Sequence, residues 1–600
     1  MDEMKRIRNR EEIPEEDKWA IDDLYATDAA WEEDLKTVAD DREYLASFAG
    51  KLSEPENLYD YLHRSEELNT KADRLGNYCM RKADEDTRNA TYQAMQGRFM
   101  SVFVALGAAT SFDTPEIMAI SDEDMDRFYR EYPALERYRR YLTNLRRLKA
   151  HTLSAAEEKL LAAAGEMADA PDTIYGAFAD ADLTFPDAVD SKGEKHPLTQ
   201  GTFVPLEEST DRILRKSAYE NLYDSFAAFK NTAAATLNAQ NKQLKFFAEA
   251  RKYKNAFERS LDRTNVPTSV YLNLIEAVHN NVDKMHRYVR LRKKLLGVDQ
   301  LHFYDIYTPL VADADRKIPY AEAKQTIYDA LHPLGEDYRA ILKEGFENRW
   351  IDVYQNTGKR SGAYSAGAQV HPFVLMNYSG TLDSQFTLAH EMGHAIHSYL
   401  SNRHQNPIDA DYVIFVAEVA STCNEALLME YLLSKTTDKK ERAYLINHFL
   451  DQFKGTIYRQ TMFAEFELNI GKLVAEGQTL TAEVLCAEYK RLNELYYGPD
   501  MVVDDRIAME WARIPHFYYN YYVFQYATGY SAAIALSRRI LREGESAVQD
   551  YLNFLSGGCS KSPIDLLKGA GVDMTSPEPV NQALELFGQL LDEMEALMEE

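Results

Sequence analysis

Thr387-Leu-Ala-His390-Glu391-Met-Gly-His394-Ala-Ile-His397 sets two histidines four residues apart, with a glutamate directly after the first. On a helix, positions four apart project from one face, so both imidazoles can grip a single divalent ion. A catalytic zinc site of this kind takes three protein ligands and keeps a fourth position for water, whose pKa the metal lowers to about 7. Glu391 stands where that water's proton can be taken. Leu388, Ala389, Met392, Ala395 and Ile396 surround the pair. Such apolar company predicts a buried helix, where polar groups need partners. The competing reading is an ordinary helix with satisfied histidines.

A third ligand is expected downstream, and its distance separates the peptidase classes that use this motif. The three-histidine class needs glycine three and histidine six residues after His394, where this chain has His397 and Leu400. Classes whose glutamate follows at about nineteen or twenty residues meet Val413 and Ile414. The first glutamate after the motif is Glu418, within Phe415-Val-Ala-Glu-Val-Ala-Ser-Thr-Cys-Asn-Glu425. An unpaired carboxylate in so apolar a run is costly, so Glu418 is the predicted ligand. Glu425, two turns further on, reads equally well as a partner behind a ligand or as a helix-surface acid. Asp383 has two readings as well: it orients His390, or it caps the helix.

His390-Glu-Met-Gly-His394 together with Phe415-Val-Ala-Glu418-Val-Ala-Ser-Thr resembles the thimet oligopeptidase (M3) family of zinc metallopeptidases. Ser361-Gly-Ala-Tyr-Ser365, Leu375-Met-Asn-Tyr-Ser-Gly-Thr-Leu-Asp383 and Ile514-Pro-His-Phe-Tyr-Tyr519 narrow the resemblance to its oligoendopeptidase F branch, and Trp19-Ala-Ile-Asp-Asp-Leu-Tyr25 extends it to the amino-terminal region. The resemblance implies a mainly α, multi-helix thimet-oligopeptidase-type fold with a deep substrate channel and a small β component near the active site. It implies one zinc ion per chain and hydrolysis of internal bonds in short oligopeptides.

The run Arg513 to Tyr530 holds six tyrosines. It reads either as an amphipathic aromatic core or as a source of donors for an oxyanion, a task that phenol and imidazole both perform. The resemblance carries the donor role to His516, and to Tyr522 and Tyr526 through Tyr522-Val-Phe-Gln-Tyr526. Spacing to Gly529-Tyr530 is one residue longer than the family pattern, which sets Tyr530 apart.

Charge and composition bound the alternatives. With 96 acidic and 68 basic residues the net charge is −28, which disfavours nucleic acid and anionic membranes as partners. Cys79, Cys423, Cys486 and Cys559 are scattered, without thiol-metal spacing, as suits a reducing compartment. Neither a signal-peptide core nor a membrane-length apolar run is seen, so the expected location is cytoplasmic. Oligomeric state is not encoded in any pattern found.

Along the chain, residues 28 to 170 show three- and four-residue apolar spacing, which predicts stacked amphipathic helices. Arg137-Tyr-Arg-Arg-Tyr141 and Arg146-Arg-Leu-Lys149 read as solvated helix faces. Leu183 to Val189 and Leu198 to Val204 are predicted strands around a polar turn. That hairpin would close an amino-terminal region, 1–205, ahead of a catalytic region, 206–600. Helical spacing runs from Thr210 to Leu296 with a break at Pro267 and a stop at Gly297, and Tyr304 to Leu310 reads as a short strand. The first half of Gly358–Gly380 reads as a flexible loop. Pro372 to Tyr378 reads as a strand, which either pairs with an extended peptide substrate or lies inside a sheet with no free edge. Helices follow at about 414–434, 440–475 and 480–497, then from 531 onward with a break at Ser556 to Pro563.

These features point to a zinc endopeptidase with His390, His394 and Glu418 as ligands and Glu391 as base. The rival from another class is a catalytically silent peptide-binding or scaffold protein of the same fold.

Overall fold

A computed structural model describes residues 7–311 and 317–599. Its contacts divide the chain into two compact units whose segments alternate along the sequence. The first comprises Met1–Ala150, Arg316–Glu430 and Leu536–Gly571, and the second His151–Asp315, Tyr431–Ala535 and Val572–Glu600. Helix dominates both, as the apolar spacing predicts. No helix among the described residues is long and apolar enough to cross a membrane.

The first unit opens on Trp19 to Tyr25 and then stacks the helices Asp28–Ala46, Pro55–Glu85 and Ala90–Thr110. Local chemistry starts each one: the Thr27 hydroxyl accepts from the Ala30 amide, Pro55 takes a position that needs no amide donor, and Asn89 accepts from the Thr91 amide. Trp19, Trp31, Leu75 and Tyr138 are buried in a core that continues into Phe373 and Leu375. The basic stripes do more than face water. Arg137 forks onto buried Glu66 at 2.7 and 3.1 Å, and Arg146 donates to the carbonyls of Ile117 and Ile120 at 3.0 and 2.7 Å. Both are clamps between elements.

The seven strands among the described residues are each two or three residues long. β1 (Ala188–Val189) pairs antiparallel with β2 (Lys195–His196) as the polar turn predicts. The predicted second strand at Leu198 to Val204 is instead mostly helix, Gln200–Glu207, because Thr199 accepts from the Thr202 amide and starts a helical turn. Tyr304 to Leu310 is likewise not a strand. β3 (Leu301–His302) precedes it and a 3₁₀ turn, Phe303–Asp305, replaces it. Asp305 accepts from the amide of His302 and from Arg212 and Arg215, which closes the turn.

The sheet that matters for the site lies in the first unit. Its order is β4 (Ile351–Asp352), β6 (Phe373–Leu375), β5 (Tyr364–Ala366), with β4 parallel and β5 antiparallel to β6. β6 is therefore central, and of the two readings of Pro372 to Tyr378 the internal strand is the observed one. The edges are β4 and β5, and β5 lies inside the segment whose Gly/Ser/Tyr composition reads as a loop. Buried Lys359 locks this arrangement: its ammonium donates to the carbonyls of Asp352, Tyr354 and Met376 at 3.1, 2.7 and 2.6 Å and pairs with Asp352. A charge so placed is tolerable only because it is fully partnered.

The second unit contains the helices Arg212–Ala227, Lys230–Ala250, Thr268–His279, Val282–Leu296, Arg459–Ala475, Ala482–Tyr497 and Glu578–Glu599. Pro267 precedes one of them and Gly297 ends another in the left-handed conformation (φ 64°), as their residue types predict. β3 pairs in parallel with β7 (Met501–Val502) here.

Candidate metal centre and catalytic residues

The motif lies on the helix Leu382–His404, which Thr381 caps by accepting from the Ser384 amide. Of the two readings of Asp383 neither is observed, since Thr381 is the cap and another residue reaches His390. The second helix, Ile414–Lys435, crosses at Gly393. A Cβ at that glycine would come 2.6 Å from the Ser421 Cα and 2.7 Å from the Ala420 carbonyl, so only glycine lets the two backbones approach this closely. Asn424 then donates to the Ala389 carbonyl at 3.0 Å and accepts from the Tyr338 hydroxyl at 2.7 Å. Backbone contacts of this kind fix the register of one helix on the other.

That register brings Glu418 to the histidine pair. Its Oε2 lies 3.3 Å from His390 Nε2 and 3.4 Å from His394 Nε2. The three groups offer ligand atoms that all fall within 4.8 Å of one another. Two imidazole nitrogens and one carboxylate oxygen form the donor set of a catalytic zinc site, so these residues fit that ion. Ser421 donates to Glu418 Oε2 at 3.1 Å and steadies it. Behind the pair, Glu425 Oε1 stands 2.5 Å from His390 Nδ1 and settles its two readings in favour of the partner role. A carboxylate there fixes the ring's tautomer and orientation.

Glu391 projects from the same helix and is buried. Burial pushes its carboxyl pKa up; His390 and His394 oppose the push, and Glu418 and Glu425 add to it. Its Oε2 has no hydrogen-bond partner among the described residues. The third histidine of the stretch goes elsewhere. His397 is stacked on Tyr412 at 3.7 Å between ring centroids, and burial lowers its pKa to about 3, so it is a neutral core group. β5 ends beside this helix: a Cβ on Gly367 would come 3.0 Å from the side chain of Ser398, four residues after His394.

His516, Tyr522 and Tyr526 belong to the second unit and gather there. Ring centroids are 6.3 Å apart for His516 and Tyr522, 6.0 Å for His516 and Tyr526, and 5.4 Å for the two tyrosines. The Tyr526 hydroxyl lies 3.5 Å from His516 Nε2. Burial lowers the His516 pKa, which keeps the ring neutral at physiological pH. Among the other tyrosines, Tyr519 is exposed, Tyr521 is buried, and Tyr530 packs on Phe453 at 5.1 Å. Two features escaped sequence reasoning. One is the β5 edge, whose composition carries no strand signal. The other is the environment of Tyr521, which the tyrosine spacing does not distinguish from its neighbours.

Comparison with known proteins covers almost the whole chain. A profile of Peptidase family M3 matches residues 205–586, and one of Oligopeptidase F matches 116–185. Oligopeptidase PepF of Bacillus subtilis is 44% identical over 595 residues, which span 99% of this chain and 89% of that protein. The Lactococcus lactis subsp. lactis oligoendopeptidase F homolog is 40% identical over 595 residues, 99% of each chain. In structure, oligoendopeptidase-F from Enterococcus faecium superposes with a TM-score of 0.76 at 38% identity, covering 95% of this chain and 99% of that one.

Proposed function

Because the chain belongs to peptidase family M3, in its oligoendopeptidase F branch, and is a metalloendopeptidase, we propose that it cleaves internal bonds of short peptides using one zinc ion per chain, held by His390, His394 and Glu418. When bound, that zinc would polarise the scissile carbonyl and acidify a water molecule. Glu391 takes the proton from the water and returns it to the departing amine. Its burial suits the first task, because a buried carboxylate holds a proton more readily than an exposed one. Glu425 holds the His390 ring in place. The neutral imidazole of His516 and the phenols of Tyr522 and Tyr526 donate to the developing oxyanion, and the β5 edge offers backbone groups to an extended peptide, which favours broad side-chain tolerance.

The convergence of three ligand atoms within 4.8 Å carries this reading. The test is cleavage of an internally quenched peptide by zinc-loaded protein, with and without a chelator, beside Glu391→Gln. Chelator-sensitive turnover, with the variant keeping its zinc but losing roughly a hundredfold or more of kcat, is the expected result. Stoichiometric zinc with no turnover would instead favour a silent peptide-binding protein.

A further inference from the structure

We propose that Glu467 and Gln240 are positioning residues that clamp the turn at Tyr518 to Tyr522 and so aim His516, Tyr522 and Tyr526. What is aimed rests on the oxyanion reading above; the clamp itself rests on geometry within the second unit.

Asn520 and Tyr521 are consecutive non-glycine residues in the left-handed region, with φ of 61° and 59°. Two such residues in a row are strained and persist only where their surroundings over-determine them. Here the surroundings are two fully buried polar side chains from different helices. Glu467, on Arg459–Ala475, accepts from the Tyr521 amide at 2.6 Å through Oε1. Gln240, on Lys230–Ala250, donates through Nε2 to the Tyr518 carbonyl at 3.0 Å and to Asn520 Oδ1 at 2.9 Å. One turn beyond Glu467, Gly471 leaves the space into which Tyr521 inserts: a Cβ there would sit 2.1 Å from the Tyr521 hydroxyl oxygen. The Tyr521 ring rests 5.4 Å from Phe257 and 6.1 Å from Tyr271. The turn thus sends Tyr521 into the core, and Tyr522, the next residue, toward His516.

The chemistry of Glu467 separates this role from plain packing. No cation pairs with it among the described residues, its Oε2 has no partner, and burial raises its pKa to about 8. Burial thus favours its neutral form, and the bond it makes needs only a carbonyl oxygen. Glutamine supplies the same oxygen in the same shape. Alanine leaves the Tyr521 amide buried without an acceptor, which relaxes the turn.

The test uses full-length zinc-loaded protein, with Glu467→Gln, Glu467→Ala, Gly471→Ala and Gln240→Leu compared for kcat, KM, zinc content and amide hydrogen exchange over residues 516–526. Glu467→Gln should stay within about twofold of the parent kcat, whereas Glu467→Ala and Gly471→Ala should lose roughly tenfold or more in kcat with KM changed by less than about threefold. Zinc content should be unchanged and exchange in the turn faster. An alanine variant that keeps kcat, a glutamine variant that falls as far as alanine, or unchanged exchange would overturn the proposal. If Glu467→Ala does not fold, Gly471→Ala and Gln240→Leu decide it by the same readouts. His516→Ala separates the two claims: unchanged kcat there sinks the oxyanion reading, while exchange in the Glu467 and Gly471 variants still tests the clamp.

Discussion

Glu425 shows how much one side chain behind a proposed ligand can matter. It touches His390 Nδ1 and so decides which nitrogen is free to face Glu418. Glu425→Ala should leave the fold intact and weaken zinc binding about 10- to 100-fold, measurable by competition with a chromogenic chelator. Glu467 yields a prediction about stability. Its folded pKa, about 8, lies above the ordinary carboxyl value of 4.5, and the phenols of Tyr271 and Tyr521 feel its charge. Its protonated form therefore contributes fully below about pH 4.5, and that contribution is lost as pH rises toward 8 at about 1.4 kcal/mol per unit. Glu467→Gln removes the dependence, so thermal melts should show the variant gaining on the parent between pH 5 and pH 8 and level with it below. At this scale the candidate metal cluster was legible. A histidine pair four apart is a local pattern, and Glu418 stood out because a charge in an apolar run needs a reason. Glu425 remained ambiguous because its partner is 35 residues away in sequence.

A helix crossing puts the proposed ligands in register, and Gly393 is a point of close backbone approach in it. With Ser421 Cα 2.6 Å from a Cβ built there, Gly393→Val must push the helix bearing Glu418 away from the histidines. The expected cost is about 1–3 kcal/mol of stability from overpacking, read by denaturant titration, together with a loss of zinc affinity that Ala389→Gly, a change in the same helix, would not produce. Helices were readable from spacing because most exceed ten residues and repeat their apolar face several times. The strands were not. At two or three residues each, they hold too few alternations to register as a pattern, and β5 is further disguised by glycine and serine. Composition left Pro372 to Tyr378 open between a substrate-pairing strand and an internal one, and the burial of Phe373–Leu375 is that of a sheet centre.

For the whole molecule, the question is whether metal holds the structure or the structure holds metal. The two helices that carry the proposed ligands are joined by backbone approach at Gly393 and by the Asn424 bridge, neither of which involves a proposed ligand atom. Stripping the metal should therefore leave the far-ultraviolet circular dichroism unchanged. The midpoint of unfolding should fall only by the lost binding energy, about 4 kcal/mol at thousandfold saturation; collapse of the helical signal on chelation would contradict this. The alternation of the two units could not be read from the sequence, since it depends on long-range contacts that leave no trace in local periodicity. It also bears on how the protein folds. The first unit draws on residues as far apart as Met1–Ala150 and Leu536–Gly571, and the second on His151–Asp315 and Val572–Glu600, so each is closed by contacts between distant parts of the chain. Local helix stacks such as the one around Trp31 and Leu75 can form before those closures, so refolding from denaturant should show helical signal returning ahead of activity.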